Sequence, residues 1–141
     1  FFENGFWGHH SNFSDEQVSV PFVMRGPGVP TGTESKPSSH IDLPRTLLEM
    51  VGVSADQAAD YSIGENLFHL PENRKVVSSS WSSLAMKLPE HGVLVFSGYS
   101  DDLPIRAYGP GWQPLNNGNS VLREHTSDLR DLLDQCQFYL R

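Results

Sequence analysis

Apolar positions recur along this chain in two rhythms, one of short β-branched runs and one of three- and four-residue steps. Val18 to Met24 is a β-branched and aromatic run that ends at Arg25-Gly26-Pro27-Gly28, and it predicts a buried strand closed by a turn. Pro21 within it favours an edge position or the first strand residue. Ile41 to Val51 predicts a helix: Leu43, Leu47, Leu48 and Val51 line one face, Asp42 is placed as N-cap, Pro44 falls in the first turn and Gly52 stops it. Lys75 to Ser80, Ala85 to Leu88, Val93 to Ser97 and Ile105 to Tyr108 predict four short strands, separated by turn residues such as Pro89-Glu90-His91-Gly92. A last helix is expected from about Ser120 to Leu140, with Leu122, Leu129, Leu132, Leu133, Cys136 and Leu140 at helical steps.

The polar intervals complete the layout. Residues 1–14 read as a loop, with capping-box spacing in Ser14-Asp15-Glu16-Gln17 predicting a short helical turn. Residues 26–39 are rich in Gly, Pro, Ser and Thr and read as a surface loop. Residues 54–74 are irregular apart from a short helix expected at Ala55 to Ala59. The fold class is therefore α/β: a strand and helix of a layered body over residues 1–74, then a small four-stranded antiparallel sheet covered by a terminal helix over 75–141.

Composition narrows the function classes. The 141 residues suffice for one modest domain. The opening Phe1-Phe2-Glu3, without Met or a charged-then-apolar leader, predicts a cut into a larger protein. No apolar run approaches the roughly 20 residues of a membrane span, so the chain is expected to be soluble as written. A net charge of −7, with Arg74-Lys75 as the longest basic stretch, argues against a nucleic-acid partner. Cys136 is the only cysteine, which leaves no internal disulfide and reads as a small buried residue on a helix.

Candidate chemistry is confined to histidines. His9 and His10 sit in a Gly- and Asn-containing loop, Gly8-His9-His10-Ser11-Asn12. Imidazole there can ligate a metal, hydrogen-bond an anionic oxygen or protonate a leaving group; a surface pair with no role is the alternative. His40 and Asp42 read either as a ligand pair or as helix capping plus packing. His69, His91 and His125 stand alone and read as structural or solvated. Gly-x-Gly-x-x-Gly, P-loop, Cys-x-x-Cys and Gly-x-Ser-x-Gly patterns are absent from the sequence.

The order of segments carries a resemblance. Glu3-Asn4-Gly5-Phe6-Trp7-Gly8-His9, Gln17-Val18-Ser19-Val20-Pro21-Phe22-Val23, His40 to Gly52 and Gly64-Glu65-Asn66-Leu67-Phe68 resemble, in that order, segments of the sulfatase family of the alkaline-phosphatase superfamily. Ser11-Asn12-Phe13-Ser14, Asp60 to Gly64 and Ser79 to Ala85 look most like the YejM/PbgA type of inner-membrane sulfatase-like proteins. The resemblance implies the C-terminal part of an alkaline-phosphatase-like α/β/α domain. It implies a metal-dependent hydrolase or transferase of sulfuric or phosphoric esters, with the nucleophile and the main metal ligands before Phe1. His9 matches the family position that contacts the transferred group or the leaving oxygen, so it is the expected catalytic and substrate-binding residue; no role passes to His10. A divalent metal (Ca, Mg, Mn or Zn) is expected in the intact protein and none in this piece. The expected partners are a sulfate or phosphate ester or a lipid head group. The expected location is the periplasmic face of the bacterial inner membrane, reached through upstream membrane segments. Some proteins of this type are regulators, so a non-catalytic lipid-binding protein that keeps the fold is the alternative.

Overall fold

The computed structural model describes residues 2–5, 7–8, 12–89, 92–97 and 105–138, and the chain falls into two compact units. In chain order the elements are α1 (Asp15–Val18), α2 (Asp42–Met50), α3 (Ala55–Ala59), β1 (Val76–Ser79), β2 (Ser83–Leu88), β3 (Gly92–Ser97), β4 (Arg106–Gly109), β5 (Gln113–Pro114), α4 (Gly118–Glu124) and α5 (Thr126–Phe138). The class is mixed α/β, as the patterning implies.

The first unit combines Phe1–Pro21 with Lys75–Arg130. Its sheet is an antiparallel meander in the order β1-β2-β3-β4-β5. Register follows the alternation of side chains: Met86 pairs with Leu94, Leu84 with Phe96, and Leu94 with Ala107, so their side chains share one face. Met86, Leu88, Leu94 and Ala107 meet Val121 of α4 there in a buried cluster, with Phe96, Ile105 and Leu115 packed against it. The sheet has one strand more than the pattern predicts. That strand, β5, is only two residues long, too short for a period-two signal, and it is fixed by the pairing of Tyr108 with Pro114.

The expected terminal helix is broken. His125 caps α4 with φ −106° and ψ 20°, and α5 starts at the next residue. The Thr126 hydroxyl donates to the carbonyls of Leu122 (3.0 Å) and Arg123 (3.1 Å), taking up acceptors at the end of α4. A Thr-Ser-Asp stretch is a helix-start signal, and here it operates inside an unbroken apolar periodicity.

The second unit combines Phe22–Arg74 with Asp131–Arg141. The Gly52 stop is as expected and its geometry explains it. Gly52 has φ +92°, its N–H donates to Glu49 O at 3.0 Å, and the Val53 N–H donates to Leu48 O at 3.0 Å. Those are the two bonds of a Schellman ending, which needs a left-handed residue at this position.

Two expectations are corrected. Val18 closes α1, and the rest of the run to Met24 lies outside the sheet, with Val23 91% exposed. A strand exists only where a neighbour takes its backbone groups, and no described strand pairs with this run. The expected apolar face of α2 is also not buried: Leu47 is 45% and Val51 79% exposed. Its buried residues are Asp42 and Thr46.

Candidate functional site

His9 and His10 lie outside the described residues. The positions around them are tied to α1. Asn4 Nδ2 donates to Glu16 Oε2 at 3.1 Å, and Gln17 Nε2 donates to Gly8 O at 3.1 Å. Gln17 therefore reaches the glycine just before His9, not back to Ser14 as the capping-box spacing implies. Gly8 has φ +107°. Phe2 and Trp7 pack with ring centroids 5.0 Å apart. Lys87 of β2 in turn pairs with Asp15 of α1. The Glu16 carboxyl is held below the usual range, first by a backbone N–H and then by the Ser14 and Asn4 side chains.

His40 and Asp42 part company. His40 is exposed, whereas Asp42 is fully buried. Asp42 Oδ1 accepts from the Glu65 N–H at 2.8 Å and from Arg74 Nη2. Its Oδ2 accepts from the Ser39 N–H and from Arg74 Nη1, both at 2.6 Å. A bidentate guanidinium and two backbone donors occupy the carboxylate. The structural reading of Asp42 therefore holds, although it is the first helical residue and not the N-cap.

The same knot fastens residues 62–67 across α2. The Ser62 hydroxyl donates to Ile41 O at 2.5 Å, and the Gly64 N–H donates to Ser62 Oγ at 3.0 Å. Arg45 Nη1 donates to Gly64 O at 3.1 Å, and the Leu67 N–H donates to Thr46 Oγ1 at 2.9 Å. Asn66 Nδ2 donates to Glu49 Oε2 at 2.5 Å. That bond, then the Arg45 guanidinium, hold the Glu49 carboxyl below its usual range. A Cβ on Gly64 would lie 2.0 Å from Ile41 O and 2.7 Å from the Asp42 Cα, so only glycine lets the segment approach this closely.

His125 stands in a second polar cluster. Its Nδ1 is 2.8 Å from Asp128 Oδ2, and Lys75 Nζ donates to Asp128 Oδ1 at 2.7 Å. Lys75 first, and His125 after it, hold the Asp128 carboxyl below its usual range. His69 is exposed, and His91 lies outside the described residues. Cys136 falls within α5.

Among the described residues no group of three or more His, Cys, Asp or Glu side chains is placed to hold a metal ion. Asp42 is committed to its own donors, so the described residues offer no cradle for the divalent ion that the sequence resemblance implies. No described helix is long and apolar enough to cross a membrane. Sequence reasoning missed Arg74 as the partner of Asp42. No local signal pointed to it, since the two residues stand 32 positions apart and Asp42 reads in the sequence as an N-cap.

No family model matches the chain. Among curated proteins, it is 31% identical over 65 residues to the choline-sulfatase of Rhizobium meliloti (strain 1021), a stretch of 46% of this chain and 12% of that protein. It is 42% identical over 40 residues to the sulfatase ppz1 of Metarhizium majus (strain ARSEF 297), a stretch of 28% of this chain and 9% of that protein. The chain thus matches about a tenth of the length of these relatives, and both are named as sulfatases.

Proposed function

We propose that the chain is the C-terminal portion of a sulfatase-like, metal-dependent hydrolase that cleaves or transfers sulfuric or phosphoric esters. By itself it does not turn over substrate. The observation that carries the reading is the similarity to two separately named sulfatases. The interlocked scaffold of α2 and residues 62–67 agrees with it, because those residues carry two of the sequence segments in question. In this reading a divalent ion (Ca, Mg, Mn or Zn) is bound by residues upstream, where it would neutralise charge on the transferred group. His9 contributes an N–H to an anionic oxygen or a proton to the leaving group. The finer assignment is to the YejM/PbgA type, at the periplasmic face of the inner membrane, with an ester substrate or a lipid head group as ligand.

The test is hydrolysis of aryl sulfates and phosphates by the longer polypeptide with added divalent metal. Turnover should be present, and His9→Ala should lower it on the order of 100-fold with little change in stability. His10→Ala should be milder. The 141-residue chain should show neither turnover nor tight stoichiometric metal binding by calorimetry. Complete inactivity of the longer polypeptide would support a non-catalytic lipid-binding regulator instead.

A further inference from the structure

The dipeptide Asn-Gly occurs twice in the sequence, at Asn4-Gly5 and at Asn117-Gly118. Asparagine is a thermolabile residue, most of all before glycine, where no Cβ shields the following backbone nitrogen from the side-chain carbonyl carbon. Both asparagines are exposed, but the fold treats them differently. At the first site both reacting nitrogens are engaged. The Gly5 N–H donates to Phe2 O at 3.2 Å, and Asn4 Nδ2 donates to Glu16 Oε2 at 3.1 Å. Glu16 stays ionised as that acceptor, since a backbone N–H and the Ser14 and Asn4 side chains hold its carboxyl below the usual range. At the second site the Asn117 side chain makes no capping hydrogen bond. Gly118 is the first residue of α4, so its N–H has no acceptor within the helix. What holds Asn117 is its carbonyl, which accepts from the Ser120 N–H at 2.8 Å and from the Val121 N–H at 3.2 Å. Those bonds form one turn at the end of a seven-residue helix, and such ends open at low cost.

We propose that Asn117 is a deamidation site, converted through a succinimide when the first turn of α4 opens, and that Asn4 is protected from the same reaction. Opening frees Asn117 to turn from its ψ of 24° until the Gly118 nitrogen faces Cγ. Solvent takes the Gly118 amide proton, and a bond forms between Gly118 N and Cγ. The Cγ–Nδ2 bond breaks, and Nδ2 leaves as ammonia with a proton returned from solvent. Water then opens the ring at either carbonyl, giving aspartate or isoaspartate without any oxidant or reductant. The two products act differently on α4. Aspartate places a carboxylate at the helix start, where it is a favourable cap. Isoaspartate adds a methylene to the backbone and displaces the carbonyl that Ser120 and Val121 use. Val121 is 5% exposed and is the α4 member of the buried sheet cluster, so the isoaspartyl form loosens this helix from the sheet.

Peptide mapping tests this. The full-length native polypeptide is incubated at mildly alkaline pH, in buffer and in guanidinium chloride, and the mass gain of deamidation is followed at each Asn-Gly by mass spectrometry. In denaturant the two sites should convert at similar rates, which isolates the effect of the fold from that of sequence context. In buffer Asn117 should convert at least ~5-fold faster than Asn4. Asn117→Gln should abolish conversion at that position, since the larger ring closes far more slowly. The isoaspartyl fraction, separated by chromatography, should melt below the unconverted protein, whereas Asn117→Asp should not. Equal rates at the two sites in buffer, or faster conversion at Asn4, overturn the proposal. An Asn117 that converts in denaturant and stays intact in buffer also overturns it, because the first turn of α4 then stays shut. An isoaspartyl fraction that melts like the unconverted protein overturns the loosening of α4.

Discussion

His40 and Asp42 stand two positions apart in sequence, and the fold sends one to solvent and the other to a fully buried site. The Asp42 carboxylate meets Arg74 and two backbone N–H groups, so its charge is neutralised and its lone pairs are used. Removing one member of such a pair leaves an uncompensated buried charge. Asp42→Ala should therefore cost about 3–5 kcal/mol in a denaturant titration. His40→Ala should change stability by less than ~0.5 kcal/mol, as an exposed substitution does. Asp128 supplies a pH dependence. Its folded-state pKa is depressed, chiefly by Lys75 and then by His125. The stability it contributes is complete above the ordinary aspartate range, about pH 4, and is lost as pH falls through the depressed folded value. Asp128→Asn should remove that part of the acid sensitivity, visible as a flatter stability curve below about pH 4.

At the scale of elements, the endings are local and the couplings are not. The Gly52 stop follows from residues that are neighbours in the chain and was legible in the sequence. The break at His125 was hidden because a start signal lies within a continuous apolar rhythm. The strap of residues 62–67 across α2 was not legible as a strap. Its bonds join residues about twenty positions apart, and no periodicity encodes such a pairing. Gly64 is the tightest point of that strap. Gly64→Ala would drive a methyl against the backbone of Ile41, which cannot rotate away. The expected cost is about 1–3 kcal/mol, the range for overpacking, measured by chemical denaturation. Gly32→Ala is the control: no atom lies within 4 Å of its added Cβ, and only its φ of +148° opposes the change.

For the whole molecule, the two units bury apolar surface differently. The sheet unit has a closed cluster in which Leu94 is 0% exposed. Leu94→Ala should cost roughly 2–5 kcal/mol, the range for a buried leucine. In this chain Leu47→Ala, at 45% exposure, should cost less than ~1 kcal/mol in the same titration. Equal costs for Leu94→Ala and Leu47→Ala in the 141-residue chain would contradict the exposure seen here.

The sequence alone determined the elements: where α2, α3 and the main strands run, where α2 ends, and that the chain is α/β. It did so because helix stops, turns and side-chain alternation are properties of a few consecutive residues. It also carried a resemblance to sulfatases, and two curated proteins that match part of the chain are named as sulfatases. Only the tertiary structure decided which face of α2 is buried, that Asp42 closes on Arg74, and that Val20 to Met24 stands outside the sheet. Each of those outcomes depends on which distant segment arrives as a neighbour. A helix presents two faces to whatever packs against it, and a strand-like run becomes a strand only when another strand takes its hydrogen bonds.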